Sequence, residues 1–570
     1  MEDANNSKPC TSILTQIMDD RGPFTPPQHL PAWTALAAHV ERLADQPLST
    51  LFANDPDRAH RLTLVFENPT ELDQTALIAD FSKQQLDDAI LADLIRLARE
   101  TRLAEGIHSL FHGEQVNFTE KRAASHMSMR GGCPPPPGNG VDTRAMRTFA
   151  FDLREGLLTG STGKTIRHLV NLGIGGSDLG PRLAVEALAD PHGNIVGGIE
   201  LARVDFVANV DPRELDTVLA RADAASTLFV VSSKSFNTPE TLANALAARQ
   251  WLYSQLGNDI DISAHFAAVS NATEAAIAFG IRPDRVFSLP DWVGGRYSVW
   301  SAIGLPLLVA IGGMFDDFLV GGRIIDDHFR LTPFEQNLPV WLGLVGLWNS
   351  SFLGIESIAA LPYAHGLRNF PRWLQQLEME SNGKHTLRNG NRTETATAPI
   401  IWGSAGTIGQ HAFHQLLYQG TRKVALDFIV PVGEDNDPRQ RILVDNAIAQ
   451  AAALMSGRDL DAARASLVRR GLSTAEIEQL APHLVSEGNQ PSTTIMLPRL
   501  DPFHLGALLA LYEHKVFVQA WIWGINPFDQ YGVEHGKEIA RALASGEMGE
   551  QDASTAQLAR LAEEFRQRMR

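Results

Sequence analysis

The chain reads as an α/β protein with two parallel-rich sheets covered by helices, N-terminal helices before them and a helical C-terminal tail after them. Three features predict this. Short apolar runs ending in small or polar residues recur, helix-like segments separate most of them, and the whole rhythm occurs twice. Strand and helix alternating at that spacing imply parallel strands joined by crossover helices.

In chain order, residues 1–119 read as a mostly helical region packed on the second domain. There, "ELDQTALIADFSKQQLDDAILADLIRLARE" places apolar residues at helical intervals among acids and bases. "RGGCPPPPGNGVD", residues 130–142, has four consecutive prolines among glycines and reads as an exposed loop. Residues 120–305 form the first α/β domain, with strands expected at "RHLVNLGIGG", "LARVDFVAN", "STLFVVSS", "AHFAAVSN" and "RVFSLPDW" and a helix at "PETLANALAARQWLYSQL". Residues 306–540 form the second, with strands at "SIAALPY", "APIIWG", "VALDFIVPV" and "STTIMLPRL". The tail, 541–570, is a charged amphipathic helix.

The net charge of −17 argues against a general nucleic-acid binder or a partner for anionic membranes. With two cysteines, Cys10 and Cys133, neither a disulfide framework nor a cysteine-based zinc site is available. The polar start "MEDANNSKPC" is unlike a secretion signal. The uncharged stretch "LPVWLGLVGLWNSSFLGI" is marginally long enough to span a membrane, but it contains Asn349, Ser350 and Ser351, lacks basic flanks and has no second stretch of similar length; it is expected to be a buried core helix. The expected location is the cytoplasm.

In parallel sheets ligands bind beyond the carboxyl ends of the strands, so the loops there are the places to look for chemistry. "NLGIGGSDLG" can bring backbone amides to an anion at Gly173, Gly175 and Gly176, but Asp178 stands where a dinucleotide fingerprint needs a third glycine. "VVSSKSFNTPETLAN" gathers Ser232, Ser233, Lys234, Ser235 and Thr238 at a helix start with Pro239 in its first turn, a combination suited to a phosphomonoester. The bland alternative is a set of hydroxyls that only cap and turn. In "DWVGGRYSVWSAIG", Arg296 is a rigid fork of donors for negative charge on oxygen, or an ordinary surface ion-pair residue. His411 and His414 are spaced as two metal ligands could be, or one is structural or a general acid. Gln530, Glu534 and Lys537 cluster after a long apolar helix, and Glu380 and Lys384 in "EMESNGKH" could pair as helix neighbours four residues apart.

Taken together, "GIGGSDLGP", "SSKSFNTPET", "DWVGGRYSVWSAIGL", "QQLEMESNGK", "GTIGQHAFHQLLYQG" and "FDQYGVEHGK" resemble the glucose-6-phosphate isomerase (phosphoglucose isomerase) family, in the family's order, from about residue 117 to about 540. The resemblance implies two sugar-isomerase (SIS)-type α/β/α domains and a homodimer with active sites at the subunit interface. It also implies a metal-free and cofactor-free interconversion of glucose 6-phosphate and fructose 6-phosphate. It assigns Glu380 as base, Arg296 as stabiliser of the enediolate, and His411 and Lys537 as the ring-opening pair, the histidine serving the neighbouring subunit. Gly176, Ser177, Ser233, Lys234, Ser235, Thr238, Gln376 and Gln530 would contact substrate. The sequence departs from the common family pattern at Ser235, Asn237 and Pro239, at "WGSAGTIG", at His535, and in the proline-rich loop, which resembles an insertion; none of these removes a catalytic group. Rival readings are a metal-dependent isomerase using His411 and His414, a non-catalytic sugar-phosphate sensor of the same fold, and an isomerase of broader phosphosugar specificity.

Overall fold

The computed structural model describes residues 24–43, 46–68, 75–137, 142–189, 195–196, 199–200, 203–433, 437–546 and 552–569. Cys10 and the polar start lie outside the described residues. Eleven strands are used below: β1 (Thr63–Glu67), β2 (Thr75–Asp80), β3 (His168–Leu172), β4 (Arg203–Val207), β5 (Thr227–Ser232), β6 (Phe266–Val269), β7 (Val286–Phe287), β8 (Ser357–Pro362), β9 (Ile400–Gly403), β10 (Ala425–Pro431) and β11 (Ser492–Leu497).

One sheet has the order β4-β3-β5-β6-β7 and is parallel throughout. Every residue of β3, β5 and β6 is buried, as strands covered by helices on both faces should be, with the polar Asn171 bonded to the Ser177 carbonyl and the Ser232 hydroxyl. The inner cluster includes Val170, Phe229, Val231, Phe266 and Phe279. The helix Pro239–Leu256 follows β5 and has proline at its first position, where a missing backbone N–H costs nothing. The second sheet has the order β1-β2-β11-β10-β8-β9. Its last four strands are parallel, and its core is built from residues such as Leu361, Leu426, Phe428 and Val430.

The N-terminal region differs from its purely helical reading. Residues "TALIAD" form β2, which pairs antiparallel with β1 on one side and β11 on the other, before the helix Asp88–Glu100 begins at its Asp87 cap. The apolar spacing in this stretch suits a helix only from residue 88 onward. Upstream, pairing with a sheet formed more than 400 residues later decides the conformation, and no local period reports that. The proline-rich loop also differs in part: Pro134 and Pro135 are exposed, but Gly132 and Cys133 are buried, because Arg130 at its start is held by Asp326 and Glu513.

The uncharged stretch forms the ten-residue helix Leu338–Leu347, buried along its whole length, and a π-helical turn Trp348–Phe352. Among the described residues a single stretch, Ala302–Leu331, is long and apolar enough to cross a membrane by length and composition, and the sequence reading did not pick it out. It is divided by the turn Gly312–Met314 into the helices Leu305–Ile311 and Phe315–Leu331, the first of which is buried throughout.

The helix Phe315–Leu331 carries a titratable group that ties stability to pH. His328 Nε2 accepts from the backbone N–H of Leu338 at 3.0 Å, so that nitrogen carries no proton, while Nδ1 lies 3.0 Å from the Thr332 hydroxyl. Burial pushes this imidazole down to about 4 from the ordinary 6.5. Below pH 6.5 the unfolded chain therefore binds a proton that the native histidine refuses, and stability falls as pH drops towards 4, by roughly 3 kcal/mol from this group alone. Thermal melts of His328→Gln are expected to be less stable than wild type at pH 7.5 but to show a flatter decline between pH 6.5 and 4.

The chain divides into two compact units, Met1–Pro527 and Phe528–Arg570. Within the second unit, the helix Glu534–Ser545 ends at Gly546, and Ala553–Arg568 starts at the Asp552 cap, which accepts from the backbone N–H groups of Ser554 and Thr555.

Candidate active site

Three loops at the carboxyl ends of first-sheet strands, and one helix end from the second half of the chain, carry most of the predicted residues. The turn Gly175–Ser177 follows β3. A Cβ on Gly176 would lie 1.9 Å from the carbonyl oxygen of Gly295, so only glycine lets this turn approach the loop that carries Arg296. Ser177 is half-buried, and its carbonyl accepts from the Asn171 amide at 3.0 Å. A Cβ on Gly175 would stand 3.1 Å from Nε2 of Gln376, which places that glutamine beside the same turn.

The loop after β5 is held from below. Phe236 adopts a left-handed backbone conformation (φ 52°), unusual for a bulky side chain, while its ring is buried against Phe279. The Lys234 carbonyl accepts from the Asn271 N–H at 2.9 Å and from the Ser270 hydroxyl. Above this anchor, the Ser233 and Thr238 hydroxyls are 3.0 Å apart, Ser235 is exposed and bonded to Asn237, and Lys234 pairs with Asp291 at 3.2 Å. Thr238 occupies the N-cap of the helix Pro239–Leu256 without spending its hydroxyl on the cap. Sequence reasoning missed Thr241 in the first turn of that helix: it is buried and its hydroxyl has no hydrogen-bond partner. A hydroxyl three places beyond the cap was the available signal. Hydroxyls, an ammonium and a helix N-terminus in one loop have the chemistry that a phosphomonoester calls for.

Arg296 is buried on the turn Gly295–Trp300. Its Nη1 is 3.1 Å from Oε2 of Glu380, its Nε donates to the Ser381 hydroxyl at 2.7 Å, and its Nη2 donates to the Pro527 carbonyl at 2.7 Å. Glu380 ends a π-helical turn, Gln375–Glu380, which follows the helix Phe370–Leu374. Strand β9 holds that turn twice: Gln375 Nε2 donates to the Ile401 carbonyl, and the Ile401 N–H donates to the Met379 sulfur. The helix Pro502–Trp523 holds it on either side of Glu380. Glu378 is fully buried and paired with Lys515 at 2.6 Å, and Asn382 Nδ2 donates to the Val516 carbonyl. Glu378 is thus tied down in the core, whereas the Glu380 side chain, 25% exposed, reaches solvent beside an arginine side chain that is 3% exposed.

Lys384 does not continue the helix of Glu380 as its neighbour four residues on. The helical backbone stops before Gly383, and the Lys384 ammonium donates to the carbonyls of Glu380, Ser381 and Asn526 at 3.0, 2.7 and 2.8 Å. It ties together the two segments that flank Arg296. Tyr297 was also missed: its hydroxyl is 3.1 Å from the Ser381 hydroxyl, its ring stacks on His126 at 4.5 Å, and burial pushes its phenol above the usual tyrosine value, so it is neutral.

The two histidines read as a possible metal pair have separate environments. His411 is exposed at the end of the turn Ile408–His411. His414 is buried, with Nδ1 3.0 Å from Oε1 of Gln450, and burial pushes its imidazole below the usual value. Among the described residues, no group of three or more histidine, cysteine, aspartate or glutamate side chains gathers as a metal cage. Gln530 and Lys537 belong to the second unit; Lys537 lies on the helix Glu534–Ser545 and pairs with Glu534 at 2.8 Å, and Gln530 is exposed.

The phosphoglucose isomerase family model matches residues 80–559. The chain belongs to the phosphoglucose isomerase family. It is 59% identical over 549 residues to a glucose-6-phosphate isomerase of Aromatoleum aromaticum, covering 95% of this chain and 98% of that one. It is 44% identical over 556 residues to a glucose-6-phosphate isomerase of Ectopseudomonas mendocina, again covering 95% and 98%. Among solved structures, a glucose-6-phosphate isomerase from Chlamydia trachomatis superposes with a TM-score of 0.77 at 30% identity, covering 95% of this chain and all of that one. The expected SIS-type α/β architecture is the one observed, and the phosphoglucose isomerase chain is an isomerase.

Proposed function

We propose that this phosphoglucose isomerase interconverts D-glucose 6-phosphate and D-fructose 6-phosphate through an enediolate, with Glu380 as the single base. The observation that carries this reading is a partly exposed carboxylate 3.1 Å from a buried guanidinium, whose loop abuts Gly176 in the same turn region where Gly173 approaches Ser232, the residue before the phosphate-suited loop. The reaction is a step of glycolysis and gluconeogenesis, and we place it in the cytoplasm.

The chemistry has three tasks. Ring opening needs a proton delivered to the ring oxygen and one taken from the carbon-1 hydroxyl, for which we assign His411 and Lys537. A histidine suits such an exchange near neutral pH, and an ammonium polarises oxygen. Glu380 then removes the carbon-2 proton of the open-chain aldose, and the electron pair moves into the carbonyl, leaving an enediolate. Arg296 stabilises that charge without protonating it, since a guanidinium stays ionised. Glu380 returns the proton to carbon 1, the oxygen at carbon 2 becomes the carbonyl, and the hydroxyl proton passes to the oxygen at carbon 1.

Ser233, Lys234, Ser235 and Thr238 bind the phosphate, while Gly176, Ser177, Gln376 and Gln530 contact the sugar. The active species is a homodimer, each subunit lending His411 to its partner's site; the exposure of His411 in one chain supports this arrangement. No metal or cofactor takes part, and full activity is expected after dialysis against EDTA, read in the forward and reverse directions. Loss of turnover on chelation, restored by a divalent cation, would reinstate a hydride-shift mechanism.

The phosphate never reacts, so its binding energy serves to orient the sugar. Free glucose is therefore expected to lose kcat as well as affinity, by a combined factor of at least about 10³ in kcat/KM, a scale within that of lost orientation. Equal maximal rates for glucose and its 6-phosphate would contradict the role given to the Ser233 loop. The direct test of the function is a coupled assay of fructose 6-phosphate conversion by the purified chain.

A further inference from the structure

We propose that Ser381 is the positioning residue that aims the Arg296 guanidinium at the oxygens of the enediolate, acting through Arg296 and not on the sugar. The inference rests on the assignment of Arg296 as the stabilising cation. Three features of the site carry it.

The first is connectivity. Ser381 follows Glu380 directly, and successive helical residues point about 100° apart. Glu380 is partly exposed while Ser381, fully buried, turns inward and accepts from Arg296 Nε at 2.7 Å. One stretch of backbone therefore carries the base and holds the cation, and any shift of that turn moves both together.

The second is geometry. A guanidinium is planar, so fixing two of its edges fixes the third. Ser381 holds the Nε edge and the Pro527 carbonyl holds Nη2, leaving Nη1 aimed at the Glu380 carboxylate. Both supports are themselves held. Ser381 is bonded to Tyr297, whose ring stacks on His126, and the Lys384 ammonium joins the Ser381 carbonyl to that of Asn526, next to Pro527.

The third is charge. A hydroxyl and a backbone carbonyl are uncharged acceptors, so these two supports orient the guanidinium without neutralising it. A carboxylate in the place of Ser381 would hold the arginine as firmly and cancel the field it offers to the reacting oxygens.

The test uses two matched ligands, 6-phosphogluconate and sorbitol 6-phosphate. They share the phosphate and the chain of hydroxyls and differ at carbon 1, where the former bears an anionic carboxylate and the latter a neutral hydroxyl. Titration calorimetry on purified full-length Ser381→Ala is expected to show affinity for 6-phosphogluconate weakened about 10-fold or more and affinity for sorbitol 6-phosphate within 2-fold of wild type. In parallel, kcat falls at least 10-fold with KM little changed. Ser381→Cys, whose sulfur is a weak acceptor, is expected to recover part of the selective loss. Equal losses for both ligands in either folded variant, or none for either, would overturn the inference. Arg296→Gln separates it from the reading beneath it. If that variant loses 6-phosphogluconate selectively and the serine variants do not, only the positioning role fails; if Arg296→Gln itself shows no selective loss, the assignment of Arg296 fails as well.

Discussion

Glu380→Gln is expected to lower kcat by about 10²–10⁴-fold or more, while glucose 6-phosphate still binds within a few-fold of wild type. Glutamine keeps the length and planarity of the side chain and can still donate to or accept from its neighbours, but its amide cannot take a proton from carbon. The turn that carries Glu380 is held by Ile401, Lys515 and Val516 through residues other than Glu380, so the substitution leaves those ties in place. The cost in barrier, about 3–6 kcal/mol, is therefore kinetic. The contrast with Glu378 makes the point sharper. Two residues earlier on the same turn, Glu378→Gln would leave the Lys515 ammonium without its buried counter-ion, and the loss would be of stability, on the order of 3–5 kcal/mol. Steady-state kinetics with direct binding, together with thermal melts, distinguish the two carboxylates.

Arg296→Gln is expected to cost about 10²–10³-fold in kcat, in the range for loss of one preorganised donor to a developing oxyanion. The guanidinium is buried and already directed by Ser381 and Pro527, so it needs no reorganisation when charge appears on the substrate. Arg296→Lys is expected to recover only part of the loss. An ammonium restores the charge but cannot engage three partners in one plane as the guanidinium does here. Measurement of kcat and KM for the three proteins checks this: a lysine variant as fast as wild type would mean that charge alone suffices and that the held orientation is immaterial.

Much of the architecture was legible because it is locally written. Strands β3 and β5 are short, largely apolar segments closed by glycine or serine, and the helix Pro239–Leu256 opens with a threonine cap and a proline. Strand β2 was not legible, since its partners β1 and β11 come from opposite ends of the chain and its own apolar pattern merges into the following helix. In the candidate site, residue types alone pointed to a phosphate loop around Ser233, whereas Glu380 and Arg296, each of which could be an ordinary ion-pair residue, stood out through the family resemblance. Lys384 shows the limit of spacing arguments. Four residues from Glu380, it suggested a side-chain pair, yet Gly383 interrupts the helix and the ammonium turns to backbone carbonyls. Ser381, Tyr297 and Thr241 were invisible for a different reason. Each is a common polar residue beside a recognised one, and only burial and partners distinguish it from decoration.

The claim on which the mechanism stands is that one carboxylate carries hydrogen between adjacent sugar carbons as a proton. Incubating fructose 6-phosphate in heavy water, and following deuterium at its carbon 1 by NMR, measures that step apart from ring opening and product release. Wild-type protein is predicted to wash in deuterium while Glu380→Gln, folded and saturated with the same ligand, shows none above the uncatalysed rate. Exchange by the glutamine variant at the wild-type rate would contradict the account.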